Sequence, residues 1–278
     1  MSYLELSDKD FERFRSLVYE KCGINLHAGK KELVRARLGK RLRQTKFKKF
    51  SQYYNYLVEE DSGDELIEML NAISTNLTSF FREPKHFDFL SSEVLPAYEA
   101  EFKNDRNKSL RVWSAGCSSG EEPYSIAMQL CEYFDYASSW KIFILATDIS
   151  TKVLSTAVSG VYHEAQTKNI SSDILRKYFQ RGHGKWEGHY RVKPFIRNMV
   201  EFKRLNLMES FSFTQSFDII FCRNVMIYFD KKGQQKVVNK FYQNLSKAGY
   251  LFIGHSESLM STKHRFNYVR PTIYSKSN

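Results

Sequence analysis

The sequence predicts an all-α N-terminal domain followed by an α/β domain of doubly wound type, and three observations predict it. Residues 1–75 carry apolar side chains at helical spacing. From Leu110 onward, short apolar runs alternate with helical stretches, the order that a parallel sheet with crossover helices requires. Between the first of those runs and its helix lies a turn of small residues, where the backbone of such folds can come close to a ligand.

The elements follow in order. Ser7 with Asp10 makes a capping-box-like start, and Phe11, Phe14, Leu17 and Val18 keep helical spacing until Gly23 ends the run. Between Lys30 and Lys49 stand ten basic residues against one acid, Glu32, so most of the net charge of +11 is concentrated there. Val34, Leu38 and Leu42 recur every four residues as an apolar stripe, while Arg37, Lys40 and Arg43 recur every three and drift to the far side. The expected result is a helix docked on one face with a cationic ridge on the other, suited to an acidic macromolecule. Nucleic acid, an acidic protein surface and an anionic membrane all meet that description. Phe50 to Val58 and Asp64 to Leu70 continue the helical pattern.

Residues 76–90 read as a linker, opening on Asn76-Leu77-Thr78-Ser79-Phe80-Phe81-Arg82 with Phe80 and Phe81 as anchors. Residues 91–278 form the second domain. Its strands are expected at Leu110–Trp113, Ile142–Thr147, Val200–Lys203, Phe217–Cys222 and Tyr250–Gly254. The second and fourth are near-continuous apolar runs, as in a parallel sheet covered on both faces. The stretch from Asp148 to Val200 exceeds what one crossover helix needs. Within it Arg181-Gly182-His183-Gly184-Lys185-Trp186-Glu187-Gly188 suggests a β-hairpin with a permissive turn, or a surface excursion, inserted over residues 176–200.

Composition narrows the class. A chain of 278 residues with 15% aromatics has material for sizeable cores. No run approaches the roughly 18 apolar residues of a membrane span, so no stable insertion is expected. Met1-Ser2-Tyr3-Leu4-Glu5 shows no basic-then-apolar leader, which points to the cytoplasm. Cys22, Cys117, Cys131 and Cys222 include no C-x-x-C pair and read as reduced core thiols rather than a disulfide or metal framework.

The residues after the glycine turn bear on the ligand. A phosphate cradle offers amide donors and often a lysine; this turn presents Glu121 and Glu122, which repel a pyrophosphate and suit a cationic nucleoside such as S-adenosylmethionine. At successive strand ends stand Asp148, placed to accept ribose hydroxyls, then Asn206 and Leu207, then Arg223 and Asn224 with Tyr228 close behind. Asp148 lies farther from the glycines than the ~20 residues usual in dinucleotide folds, which disfavours a nicotinamide cofactor.

Together, Asn76-x-Thr78-x-Phe80-Phe81-Arg82, Gly120-Glu121-Glu122-Pro123-Tyr124-Ser125, Phe221-Cys222-Arg223-Asn224-Val225-Met226-Ile227-Tyr228-Phe229 and Gly254-His255-Ser256-Glu257 resemble the chemotaxis-receptor glutamate O-methyltransferases, over nearly the whole chain. The resemblance implies a helical N-terminal domain and a Rossmann-like class I methyltransferase domain with a small inserted antiparallel β-subdomain. It implies that Asn76, Thr78, Arg82, Glu122, Asp148, Asn206, Leu207, Arg223 and Asn224 line the S-adenosylmethionine site, with S-adenosylhomocysteine as product, and that Arg82 and Tyr228 face the reacting methyl and the acceptor carboxylate. The implied partners are the glutamate-rich helical bundle of chemoreceptors, steered by Arg37, Lys40 and Arg43, and a receptor C-terminal peptide captured by the loop of Gly182, Gly184 and Gly188. The chain is expected to act as a monomer.

The chemistry agrees with that list. A glutamate acceptor, with a reference pKa near ~4.3, is already an anion at neutral pH and needs no general base, and no metal is needed. A nucleic-acid methyltransferase is the main alternative. It would need aromatic side chains to stack a flipped base together with contacts to its edge, and no such arrangement can be singled out in Arg223–Phe229, so no nucleic-acid partner is expected. A non-catalytic cofactor-binding adaptor is the third reading, against which Arg82 and Tyr228 both speak.

Overall fold

The computed structural model describes residues 5–61, 63–105, 108–134 and 140–277; Met1 to Leu4, read above for a leader, lie outside them. Helix α1 (Asp8–Cys22) starts where Ser7 Oγ accepts the Asp10 amide at 3.0 Å. It stops at Gly23, whose φ of 71° and amide bond to the Tyr19 carbonyl form a left-handed cap. With α2 (Lys31–Leu42), α3 (Phe50–Glu59) and α4 (Asp64–Ile73) it encloses one apolar core containing Phe11, Phe14, Leu38, Tyr53 and Met69. Val34, Leu38 and Leu42 face that core as their spacing predicts.

Helices α5 (Pro84–Phe89) and α6 (Leu95–Glu101) lead into the second domain, whose α7 (Glu121–Tyr133) and α8 (Thr151–Ser159) follow the first two strands. The strands run β1 (Ser109–Ala115), β2 (Lys141–Asp148), β3 (Val161–His163), β4 (Phe179–Arg181), β5 (His189–Val192), β6 (Val200–Arg204), β7 (Phe217–Cys222), β8 (Leu245–Ile253), β9 (Asn267–Arg270) and β10 (Ile273–Ser275). The main sheet has the order β6-β2-β1-β7-β8-β10-β9. Its first five strands are parallel, β10 runs antiparallel to β8, and β9 runs antiparallel to β10. The chain leaves β1 for β2 on one side and, after β6, returns to β7 on the other. The carboxyl ends of β1 and β7 therefore flank the switch point where ligands bind in doubly wound sheets.

Alternate residues of each strand enter opposite cores, which explains the near-continuous apolar runs. Val112, Ile144 and Phe221 pack beneath α5 and α7, while Trp113, Leu145 and Ile220 pack against the helix Lys231–Asn244. No helix among the described residues is long and apolar enough to cross a membrane.

Three features depart from the sequence expectation. The hairpin β9–β10 at the sheet edge was not anticipated, because β9 is largely exposed and carries no apolar run. Strand β8 begins at Leu245 rather than Tyr250, across an irregular register with Ala248 at φ 55°. The inserted unit is a three-stranded antiparallel sheet, β3-β5-β4, that reaches back to Val161, before the expected start at 176. Its central strand β5 needs partners on both sides, and the second comes from residues 161–163.

The helical domain sits over the carboxyl edge of the main sheet. The Asn25 amide donates to the Tyr228 carbonyl at 2.8 Å, beside an antiparallel bridge between Ile24 and Phe229. Asn206 Nδ2 donates to the Lys21 carbonyl at 2.6 Å, and the Tyr19 hydroxyl donates to Asp230 at 2.8 Å. A Cβ on Gly23 would lie 2.6 Å from the Met208 side chain, so that glycine serves the domain contact as well as the helix cap.

Candidate active site

A cavity of about 420 Å³ opens between the two domains at the carboxyl ends of β1, β2 and β7. Every residue singled out for cofactor or catalysis lines it: Asn76, Thr78, Arg82, Glu122, Asp148, Asn206, Leu207, Arg223, Asn224 and Tyr228. The helical domain adds Asn25, Leu26, His27 and Lys30 to the wall.

The floor is the glycine turn. Gly116 has φ 81°, and a Cβ there would lie 2.3 Å from Val225 Cγ2, so only glycine lets the turn pass under the β7 loop. Asp148, at the end of β2, accepts the Ser118 amide and the Ser150 amide, each at 2.9 Å. It therefore ties the turn to the start of α8 besides facing the cavity. Burial raises its carboxyl above the ordinary range, although those amides pull the other way.

Of the two adjacent glutamates, only Glu122 faces the cavity. It accepts the Ser114 hydroxyl at 2.7 Å and lies 3.6 Å from Arg223. Burial pushes its carboxyl up, opposed chiefly by Arg223. Glu121 turns instead to Ser119 and Gln166, which corrects the expectation that both carboxylates meet the ligand. Cys117 is buried in the turn, and burial holds its thiol well above the usual range, so it is no nucleophile. All four cysteines are free and buried.

Arg223 and Asn224 follow β7. The Arg223 guanidinium donates to the Arg82 carbonyl and lies 3.3 Å from Glu83. The Asn224 side chain donates to Glu83 at 3.4 Å, and its amide donates to Glu257 at 2.9 Å. Glu257 also accepts the Gly254 and Ile227 amides, so this single carboxylate shapes the whole loop from Asn224 to Tyr228. Burial raises Glu257, against those donors. Glu83 also experiences burial, but Arg223, the His255 amide and the nearby imidazoles outweigh it and hold its carboxyl below the ordinary range.

Sequence reasoning passed over Glu83 altogether, and only its place beside Arg82 signalled it. Four of the non-glycine residues in left-handed conformation, Phe81, Glu83, Ser118 and Asn224, cluster here, each costing about 1–3 kcal/mol that the surrounding contacts must offset.

The predicted residues differ in how far protein already occupies them. Every polar side-chain atom of Asn206 has a protein partner, in Lys21, Glu209 and Met208. By contrast, the Asn76 and Thr78 side chains and the Tyr228 hydroxyl have no hydrogen-bond partner among the described residues. Among the described residues Arg82 donates only to the Leu77 carbonyl, at 3.0 Å. The surface candidates lie apart from the cavity. Arg37 turns inward and caps the carbonyls of Ile73 and Ser74 and the Thr75 hydroxyl, so it is not on an outward ridge. Lys40 and Arg43 are exposed. In the small sheet, a Cβ at Gly182 would meet the Trp186 carbonyl at 2.1 Å, while Gly184 and Gly188 take positive φ. Phe80 anchors the linker to this sheet by edge contacts with Tyr162 and Phe179.

Small-residue turn, acidic strand ends and a cavity at the switch point fit a cationic nucleoside and define a methyltransferase-type site. Residues 76–275 match the family "CheR methyltransferase, SAM binding domain", and residues 9–74 match "CheR methyltransferase, all-alpha domain". The chain belongs to this family and is an S-adenosylmethionine-dependent chemotaxis methyltransferase. It is 44% identical over 99% of its length to a chemotaxis protein methyltransferase of Borreliella burgdorferi, covering 96% of that protein. It is 41% identical to the chemotaxis protein methyltransferases of Escherichia coli and Salmonella typhimurium, over 99% of this chain and 93% and 92% of theirs.

Proposed function

We propose that the chain transfers a methyl group to glutamate side chains of chemoreceptors, the methyl-accepting chemotaxis proteins, forming methyl esters for sensory adaptation in the cytoplasm. The observation that carries this reading is the state of Arg82. Arg223 is held by Glu83 and Glu122, whereas Arg82 forms no ion pair among the described residues and acts on Glu122 only at longer range. A guanidinium at the cavity wall with donors to spare matches an incoming carboxylate.

S-adenosylmethionine supplies the methyl group. The protein's own residues have orientation and exclusion of water to provide, where positioning at best contributes ~7–11 kcal/mol. Asp148, Glu122, Asn76 and Thr78 hold the nucleoside and its charge. Arg82 aligns the acceptor through its planar fork, and Tyr228 contributes an orienting hydroxyl rather than a base, since a phenol titrates near ~10. The partly committed carboxylates at the site are no obstacle, because an ionised acceptor requires no proton removal.

The test supplies radiolabelled S-adenosylmethionine with receptor-containing membranes, and separately with RNA. Base-labile label on protein is the expected result; stable label on RNA and none on protein would overturn the reading.

A further inference from the structure

We propose that Glu83, His86 and His255 form a binding site for one zinc-class transition-metal ion beside the methyl-transfer cavity. The three side chains come from two places in the fold. Glu83 and His86 stand one turn apart at the start of α5, and His255 follows β8. One ligand atom from each lies within 4.8 Å of the others. His86 Nδ1 is 3.4 Å and His255 Nε2 is 3.9 Å from the same Glu83 oxygen.

The hydrogen-bond network fixes how His86 presents itself. The Thr272 hydroxyl lies 2.6 Å from the Pro271 carbonyl, to which it can donate. In the arrangement where that hydroxyl donates to Pro271, its oxygen accepts from His86 Nε2, 2.8 Å away, and the imidazole proton sits on Nε2. Nδ1 is then a bare lone pair, buried and without a hydrogen-bond donor. It faces a carboxylate oxygen, another acceptor. Two acceptors at this separation repel unless a cation lies between them. An imidazole whose far nitrogen donates to an acceptor, leaving the near nitrogen free for a cation, is also how metal-bound histidines are oriented.

Ligand type selects the ion. Two imidazoles and one carboxylate suit zinc and its neighbours, whereas magnesium and calcium want more oxygen ligands. Bonds of ~2.0–2.2 Å in a tetrahedron place ligands about 3.4 Å apart. The His86–Glu83 pair already meets that spacing. His255, with 48% of its side chain exposed, has room to close the remainder, and solvent can fill the fourth position. Arg223 lies 3.3 Å from the same Glu83 oxygen and repels a cation, which limits the affinity to the micromolar range. The ion would share Glu83 with Arg223 and so communicate with the cavity, without entering the methyl transfer.

The test uses untagged full-length protein stripped of metal, titrated at neutral pH with Zn²⁺ by calorimetry and with Co²⁺ by its visible absorption. One ion per chain at micromolar Kd is expected. His255→Ala, at a half-exposed position, should weaken it by at least about 10-fold, and Thr272→Val should weaken it less, by freeing the His86 tautomer. Absence of stoichiometric binding, or equal binding by His255→Ala, would overturn the site and leave the cluster as a brace for Arg223.

Discussion

The Glu83 carboxylate lies 3.3 Å from Nε of Arg223, 140 residues further along the chain. Only 10% and 2% of the two side chains is exposed. The pair joins the segment that carries Arg82 to the loop that carries Tyr228, whose shape Glu257 sets, so it couples the two groups proposed to face the acceptor. It also spends the charge of Arg223 inside the protein and leaves Arg82 as the arginine with capacity for a substrate.

Cofactor affinity should fall with acidity before the fold does. Burial raises Asp148 and Glu122, so in a titration toward acid they protonate above the ordinary carboxylate value near ~4, ahead of exposed acids. A cationic ligand prefers both ionised. A raised carboxyl adds to stability as pH falls through its folded pKa, and Glu83, which is lowered, keeps its contribution until below the ordinary value. Calorimetric affinities and melting temperatures measured across that window should therefore separate; parallel losses would contradict the assignment.

Asp148→Asn should weaken S-adenosylhomocysteine binding by roughly 10- to 100-fold, the equivalent of ~1.5–3 kcal/mol of charged hydrogen bonding. It should lower the melting temperature as well. An amide group in place of one oxygen would face the Ser118 or Ser150 amide, donor against donor. Unchanged affinity in a folded variant would remove Asp148 from the ligand's contacts.

Arg82→Ala should reduce turnover about 100-fold, the scale of a misaligned reactant, while product-cofactor affinity changes far less. Arg82→Lys should restore little, because a point charge lacks the fork. Single-turnover rates set beside binding constants decide the matter, and equal losses would make Arg82 a cofactor contact alone.

Lys40→Glu with Arg43→Glu should lower receptor methylation and its salt sensitivity, with stability within about 0.5 kcal/mol of the parent as at most surface sites. Arg37→Glu should behave differently and destabilise by about 1–3 kcal/mol, since it strips the donors from the end of α4. Receptor assays and thermal melts on both variants test the division; undiminished methylation by the double variant would leave the ridge without a role in docking.

An aromatic-containing receptor-tail pentapeptide should bind the small sheet at micromolar Kd, about −8 kcal/mol, whether or not cofactor is present. Strand addition to its edge would supply the backbone hydrogen bonds, and a tether of this kind raises the local concentration of acceptor glutamates. Gly184→Val, forced into a left-handed φ of 59°, should weaken capture while leaving cofactor binding intact. A titration that releases no heat at high peptide concentration would assign docking to the basic helix alone.

Much of this was legible in the sequence because the main-sheet strands are covered on both faces. Ile142–Thr147 and Phe217–Cys222 are apolar enough to be read directly, and polar residues just past the strand ends mark the cavity. Strand β3, three residues long, carries no pattern of its own, and β9 alternates too weakly at an exposed edge. The inward turn of Arg37 depends on where α4 ends, which helical spacing alone does not specify. The role of Glu83 arises from a left-handed backbone and from partners 140 or more residues away, information that no local window contains.

The joint between the domains at Asn25–Tyr228 and Ile24–Phe229 is formed by main-chain groups. These two contacts do not depend on side-chain identity, whereas those of Asn206, Tyr19 and Gly23 beside them do. Substitutions can accumulate on the outer faces of the helical domain, Lys40 and Arg43 included, without moving the roof over the cavity. A lineage of these proteins can therefore retune what it recognises while passing on its chemistry unaltered.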